Sequence, residues 1–92
     1  MEDFKPSEKV IQSYLFTEFG EFFVSTCYRR SSAMLNTDSW YYETFAWRLN
    51  EANEQTDWVA DNSGASYLKK GLEQHNEVCK QLQTTGEYVE LS

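Results

Sequence analysis

The stretch Trp40-Tyr41-Tyr42-Glu43-Thr44-Phe45-Ala46-Trp47 holds five aromatic residues, in a chain that has 3 Trp, 6 Tyr and 6 Phe in total. Side chains alternate between the two faces of a β-strand, so Tyr41 and Phe45 would share one face while Tyr42 and Ala46 share the other. Both faces are largely apolar, which is typical of a strand that is covered on two sides. The stretch therefore predicts a central strand, which we expect to extend to Leu49.

The length and composition of the chain indicate one globular domain. A chain of 92 residues can bury a single core but is too short for two. Hydrophobic residues make up 40% and aromatic residues 16% of the sequence, which argues against disorder along the whole chain. We expect a single domain over residues 1–92, with residues 1–6 and 87–92 flexible.

The charge balance is acidic, with 8 Lys and Arg against 15 Asp and Glu and a formal net charge of −7. Excess negative charge works against direct binding to nucleic acid or to an anionic membrane. Basic residues adjoin one another only at Arg29-Arg30 and Lys69-Lys70. The acidic balance is explained either by solubility or by mimicry of a nucleic acid.

Cysteine and histidine content makes a metal site or another cofactor unexpected. Cys27 and Cys79 do not form a C-x-x-C motif, and one histidine cannot complete a structural zinc site with them. We find no signal peptide and no apolar run long enough for a transmembrane helix. These patterns predict a cytoplasmic protein with reduced cysteines.

Two further segments have the period of two that is typical of strands. Residues 21–31 alternate, and Phe22 and Val24 belong to the more apolar face while Cys27 lies on the other. A third, shorter strand is predicted from Gln55 to Ala60. With the central strand, these segments predict a three-stranded antiparallel meander.

The C-terminal part of the sequence predicts a long helix. Apolar or small residues recur at helical spacing, at Leu68, Gly71, Leu72, Val78, Cys79 and Leu82, and His75 falls on the same stripe. Gly71 lies on this stripe, which predicts a close approach to the sheet, and Gly86 is expected to end the helix. We expect Asp61-Asn62-Ser63-Gly64 to form a turn before the helix, with Ser63 or Ser66 as its N-cap.

The N-terminal segment from Glu8 to Thr17 is ambiguous. Val10, Ile11, Tyr14 and Leu15 form one helical stripe, which favours a short helix, although the β-branched content leaves a strand open. The predicted fold is therefore α+β. It consists of a three-stranded antiparallel meander, a long C-terminal helix packed on one face, and a short N-terminal helix or strand.

Glu43 and His75 are the main candidates for a functional or structural polar network. Glu43 falls between Tyr41 and Phe45, where burial raises the pKa of a carboxyl group. His75 lies on the apolar stripe of the helix, so it should face the sheet and could meet Glu43 across the core. With Cys27 they comprise the residue types of a thiol-based catalytic triad.

A second group of residues is the candidate interface. The tryptophans and tyrosines exceed what one small core buries, so we expect Trp40, Tyr42 and Trp58 to contribute to an exposed surface. Arg29 and Arg30 could contact an acidic partner or a phosphate there. A homodimer would bury such a surplus.

Three short motifs resemble a family of small tailed-bacteriophage and prophage proteins. They are Phe23-Val24-Ser25-Thr26, then Tyr42-Glu43-Thr44-Phe45-Ala46-Trp47, then Gly71-Leu72-Glu73-Gln74-His75. Phe45 and Trp47 stand where the family has Met and Phe, and Gln74 stands where it has Gly. The resemblance covers residues 22–82 and implies a phage origin and the host cytoplasm, with no activity attached.

Three functions follow as hypotheses. The first is a small phage or prophage accessory protein that binds a protein partner, also as a homodimer, and catalyses nothing. The second is an acidic inhibitor that mimics nucleic acid on a host defence or transcription enzyme, which would place carboxylates in a regular row on one face. The third is a small enzyme that uses Cys27, Glu43 and His75.

Overall fold

The computed structural model describes residues 8–32 and 38–89, which form a four-stranded sheet and one helix. The elements are β1 (Glu8–Thr17), β2 (Gly20–Ser32), β3 (Asp38–Leu49), β4 (Gln55–Ala65) and α1 (Leu68–Thr85). The strands lie in the order β1-β2-β3-β4, each antiparallel to its neighbour. The α+β prediction is confirmed, whereas the expected number of three strands is wrong. The flexibility predicted for residues 1–6 and 90–92 lies outside the described residues.

The fourth strand is β1, the segment for which a short helix was favoured. A β-bulge between Lys9 and Ile11 shifts the pairing with β2 by one residue. The apparent helical stripe combined residues from both faces of the strand, because Leu15 lies in the core whereas Tyr14 lies on the opposite side beside Phe23. Val10 and Tyr14 belonged to that stripe, yet they are 36% and 62% exposed. Pairing with β2 decides the conformation, because local propensity is a weak constraint on an edge segment.

Strand β4 continues five residues beyond its expected end at Ala60 and includes the predicted turn. Asp61 pairs with Phe45 and Asn62 with Thr44, so cross-strand contacts with β3 offset the low strand propensity of the segment. The Asn62 side chain also accepts a hydrogen bond from the Gly64 N–H at 2.9 Å. The turn prediction at 61–64 is therefore wrong.

The hydrophobic core lies between the sheet and α1. Its buried members come from all four strands and the helix: Leu15, Phe22, Val24, Ala46, Ala60, Val78 and Leu82. Val59, Cys79 and Tyr88 pack against this cluster. The even-numbered face of β2 is the core face, as its apolar pattern predicted.

The two ends of α1 differ in how well the sequence predicted them. The N-cap is Tyr67, which has extended backbone and no capping side-chain bond, so the prediction of Ser63 or Ser66 is wrong. Ser63 lies inside the extended β4. At the other end Gly86 has φ 77°, and its N–H donates to the Leu82 carbonyl at 3.0 Å. The predicted glycine stop is confirmed.

Gly71 allows α1 to lie close to β3, as its place on the apolar stripe predicted. A Cβ atom added at this position would lie 2.8 Å from Cγ of Tyr42. Although alanine gains about 1 kcal/mol of helix propensity over glycine, overpacking a core costs about 1–3 kcal/mol. We expect Gly71→Ala to lower the free energy of unfolding by about 1 kcal/mol in urea denaturation. Asn76→Ala, at an exposed site on α1, should instead be neutral or stabilising, and an equal gain at Gly71 would contradict the close approach.

The helix covers one face of the sheet only. The opposite side, here called the open face, carries Tyr41, Glu43, Phe45 and Trp47 of β3, and no helix or strand of the described residues packs on it. The expectation that β3 is covered on both sides is therefore wrong for residues 8–32 and 38–89. Both faces of β3 are apolar because the open face holds a second set of aromatic residues.

Candidate functional site: the open face of the sheet

A row of five aromatic side chains crosses the open face from one edge of the sheet to the other. In spatial order this aromatic row consists of Tyr14, Phe23, Trp47, Phe45 and Trp58. Successive ring centroids are 4.8, 5.9, 5.6 and 5.7 Å apart. These separations are typical of favourable aromatic pairs, each worth about 0.5–1.5 kcal/mol beyond area burial. The row is a packed structure whose outer surface meets solvent.

Exposure along the row is greatest at its two ends. Tyr14 on β1 is 62% exposed and Trp58 on β4 is 58% exposed, whereas Phe23 is buried between its neighbours. Trp58 joins the row because a register shift near Trp47 turns it to the same side as Phe45. Its indole N–H is already bonded to the Ala60 carbonyl at 2.8 Å, so the ring is fixed in place.

A pair of carboxyl groups lies beside the row. Glu43 on β3 is only 8% exposed, and its side chain is hydrogen-bonded to that of Asp61 on β4. Burial, followed by the hydrogen bond and the negative charge of Asp61, raises the pKa of Glu43 to about 7. Near neutral pH Glu43 is therefore protonated for part of the time, and in that form its hydroxyl can donate to Asp61.

Arg29 and Tyr41 complete the polar part of the open face. Arg29 Nη1 lies 3.2 Å from Oε1 of Glu43, and its guanidinium carbon lies 5.7 Å from the centre of the Phe45 ring. The cation opposes the rise in the Glu43 pKa but does not cancel it. Burial and the nearby Glu43 charge raise the pKa of the Tyr41 hydroxyl, which donates to Glu43. The open face thus combines aromatic rings with ionisable groups of both signs.

A second polar cluster lies on the other side of the sheet, under α1. His75 is 1% exposed, with Nδ1 2.8 Å from the Thr26 hydroxyl and Nε2 2.9 Å from the Ser13 hydroxyl. Thr26 also lies 2.6 Å from the Thr44 hydroxyl, which accepts from the Gln74 amide at 3.0 Å. Burial lowers the pKa of His75, so the ring is neutral at physiological pH. This buried network joins three strands to the helix.

Glu43 and His75 do not meet. His75 is bonded to Ser13 and Thr26 on the helix side, whereas Glu43 is bonded to Arg29 and Asp61 on the open face. Glu43 is adjacent to Thr44 in β3, so their side chains point to opposite faces. The expected single network is therefore two separate clusters, and substitutions in the two should be additive.

Cys27 does not join a triad. It pairs with Glu43 across β2 and β3, and its sulfur lies 3.6 Å from the Ser25 hydroxyl. His75 is on the other side of the sheet, where its two ring nitrogens are occupied by hydroxyl groups. The three side chains proposed for a thiol enzyme are not brought together.

The candidate interface residues are also divided between the two faces. Trp58 and Arg29 lie on the open face, whereas Trp40 and Tyr42 lie on the helix side, where their ring centroids are 4.9 and 4.6 Å from that of Tyr28. Arg30 is in β2 opposite Trp40, and its side chain is outside the described part of the structure. A single surface made of all five residues is therefore not formed.

Sequence reasoning missed the partners of both candidate residues. Asp61 was predicted in a turn, and no polar partner was predicted for Thr26 or Thr44. One signal was available: Thr26 and Thr44 occupy the apolar faces of two neighbouring strands, where a hydroxyl needs a partner. The position of Asp61 could not be inferred, because it depends on the unexpected length of β4.

No three His, Cys, Asp or Glu side chains among the described residues lie close enough together to hold a metal ion. No helix in residues 8–32 or 38–89 has the length and apolar character needed to span a membrane. Acidic side chains occur both on the open face, at Asp61, and on the helix, at Glu73 and Glu77.

Comparison with known proteins adds no relative to these observations. No family model, curated protein or solved structure matches the chain.

Proposed function

We propose that this protein acts by binding another protein through the open face, and that it does not catalyse a reaction. The observation that carries the proposal is the aromatic row, which extends from Tyr14 on β1 to Trp58 on β4 without cover from any described element. Clustered aromatic side chains on a surface are typical of interfaces, because they bury a large area at a small cost in side-chain entropy.

The chemistry beside the row specifies the kind of partner surface. Glu43 is already paired with Arg29, whereas Asp61 is exposed and pairs with Phe45 across the two strands, so a carboxylate and an aromatic ring occur together on the open face. Both attract cations, the former by charge and the latter by the ring quadrupole. With a net charge of −7, the chain also attracts basic partners at long range. The partner surface in this proposal is apolar with a Lys or Arg side chain near its centre.

Two observations support a binding role over catalysis. Cys27 and His75 are separated by the sheet, and His75 is 1% exposed with both ring nitrogens bonded. The row, in contrast, presents 58% of Trp58 to solvent. Within this proposal the chain is a small accessory protein of a phage or prophage, as its resemblance to that family implies.

A paired capture experiment tests the proposal. The wild-type chain, Trp58→Ser and Trp40→Ser serve as baits in bacterial lysate, and retained proteins are quantified by mass spectrometry. Trp40 is a matched control because it is 39% exposed and stacked, but on the helix side of the sheet. Circular dichroism of all three baits confirms that they are folded.

The expected result is a protein that the wild-type and Trp40→Ser baits retain and that the Trp58→Ser bait loses. Retention of the same protein by the Trp58→Ser bait would contradict an interface on the open face. Equal loss with both variants would contradict it as well, because the effect would not be specific to that face. If the partner surface has a basic centre, a Lys-rich peptide should also displace the retained protein from the wild-type bait.

A further inference from the structure

Strand β4 lies at an edge of the sheet and is paired irregularly with β3. The register shifts at three places, and each shift adds one extra residue to β4. Between two of these bulges only three pairs follow one another without interruption, namely Thr44–Asn62, Phe45–Asp61 and Ala46–Ala60. Asp61 is therefore in the middle of the short segment that fixes this part of β4 on the sheet.

The two ends of β4 are held unequally. Near its C-terminal end the Gln74 amide of α1 donates to the Asn62 carbonyl at 2.9 Å, and the Asn62 amide donates to the Tyr88 hydroxyl at 2.6 Å. Toward the N-terminal end, residues 55–58 are exposed, and of residues 55–61 only Ala60 is buried. Burial of one small side chain stabilises this part of the strand only weakly. Residues 55–61 are therefore the part of β4 that is able to open locally.

The side chain of Glu43 reaches this weakly held segment from β3. Glu43 is 8% exposed and lies on the same face as Asp61, which pairs with the next open-face residue of β3, Phe45. Protonated Glu43 donates to Asp61, whereas ionised Glu43 has no proton to give and places a second negative charge beside it. The cation bonded to Glu43 is Arg29 of β2, at 3.2 Å, so ionised Glu43 is attracted away from β4.

We propose that Glu43 and Asp61 form a carboxyl clasp, which holds residues 55–61 of β4 against β3 while Glu43 is protonated and releases them when its proton passes to solvent. The other ionisable groups that face Glu43 are Arg29 and Cys27 on β2 and Tyr41 on β3. None of these three connects β3 to β4. The helix α1 covers the opposite side of the sheet, where His75 is bonded to Ser13 and Thr26.

The release of the proton falls near neutral pH. Burial, followed by the contact with Asp61, raises the pKa of Glu43 from 4.5 to about 7. Opening of β4 lets the pKa return toward the lower value, so the closed form holds a proton that the open form has released. The stabilisation by the clasp is therefore complete below pH 4.5 and is lost as the pH rises through 7. Above that range the open population no longer changes with pH.

The carboxyl clasp also controls one end of the aromatic row. Trp58 lies within the segment that opens, and its ring centroid is 5.7 Å from that of Phe45. Opening separates the two rings, so the row is complete only while the clasp is closed. This regulation of partner binding rests on the proposed function of the open face, whereas the opening of β4 is a property of the chain alone. The two proposals can therefore fail separately.

Amide hydrogen exchange at pH 5 and pH 8, corrected for intrinsic rates, measures the opening without a partner. Low urea concentrations distinguish local opening from global unfolding, because global unfolding exposes much more surface. We expect the β3-bonded amides of residues 55–61 to exchange through a urea-insensitive opening. Its population should be at least about tenfold higher at pH 8 than at pH 5. Equal protection of the β2 and β4 amides would overturn the proposal, as would a local opening that does not respond to pH.

Three variants identify the groups that form the clasp. Glu43→Gln cannot ionise, so its local opening should be the same at both pH values, and Asp61→Asn should show a smaller rise because the repulsion is removed. Asp57→Asn removes a charge from an exposed site on the same strand and should keep the wild-type response. His75 titrates in all of these proteins, so its effect cancels. A pH response that persists in Glu43→Gln, or that Asp57→Asn abolishes, would rule out the clasp.

Discussion

Thr26→Val is expected to lower the free energy of unfolding by about 3 kcal/mol, although valine has nearly the shape of threonine. The Thr26 hydroxyl lies 2.8 Å from Nδ1 of His75 and 2.6 Å from the Thr44 hydroxyl, and all three side chains are buried. Removing the Thr26 hydroxyl leaves the buried His75 ring nitrogen and the buried Thr44 hydroxyl without this hydrogen-bond partner. Each such group costs about 1–3 kcal/mol, because the water that solvates it in the unfolded chain is not replaced.

Urea denaturation followed by circular dichroism measures this effect, and two variants control it. Thr56→Val makes the same change in β4 at an exposed position, where the hydroxyl donates to the Arg48 carbonyl at 3.1 Å, and should cost less than about 0.5 kcal/mol. Thr26→Ser keeps the hydroxyl and should retain most of the stability. Equal losses in Thr26→Val and Thr56→Val would show that the buried network does not stabilise the fold.

Glu43→Gln is expected to change stability in the opposite direction, raising the free energy of unfolding at pH 8 by about 2 kcal/mol. The pKa of Glu43 is about 7 in the folded protein and 4.5 as its unperturbed value, so between these pH values the folded state holds a proton that the unfolded state has released. Protonation of Glu43 in the folded state therefore adds to the free energy of unfolding in full below pH 4.5. This stabilisation is lost as the pH rises through 7. Glutamine resembles the protonated acid at every pH.

The pH dependence of the difference between the two proteins is the decisive measurement. The gain from Glu43→Gln should be large at pH 8 and should shrink toward pH 5, where wild-type Glu43 is protonated in the folded state. His75 contributes an opposite trend, since its lowered pKa makes stability fall as the pH drops. That trend is common to both proteins and cancels. A loss of stability in Glu43→Gln at pH 8 would show that the ion pair with Arg29 outweighs the cost of burying the Glu43 charge. Glu73→Gln, on the exposed side of α1, serves as the control.

The elements with sustained periodicity were predictable from the sequence. The aromatic alternation through Tyr42 and Trp47 predicted β3, and the apolar stripe from Leu68 to Leu82 predicted α1, including the close approach at Gly71. In both segments the same spacing of apolar residues is repeated several times, so each repeat supports the same assignment. β1 was ambiguous because apolar residues follow one another on both of its faces, at Tyr14, Leu15 and Phe16. The extension of β4 to Ala65 depends on pairing with β3, which outweighs local turn propensity.

For the candidate site, the sequence predicted individual residues but not the partners that they contact. Glu43 and His75 stood out because each is an ionisable group in an apolar pattern, and both are buried. Their partners depend on the registers of three strands, and a change of one residue in register exchanges the two faces of a strand. The division of Glu43 and His75 between faces follows directly from that alternation once the helix is placed.

The distribution of tryptophans over the two faces gives the protein an internal optical reporter. Trp58 and Trp47 lie on the open face, 58% of Trp58 is exposed, and Trp40 stacks on Tyr28 on the helix side. Indole emission shifts to shorter wavelength when the ring leaves water, so a ligand that covers Trp58 changes the fluorescence spectrum without an added label. Trp40→Phe removes the background from the opposite face, and occupancy of the aromatic row can then be followed in real time.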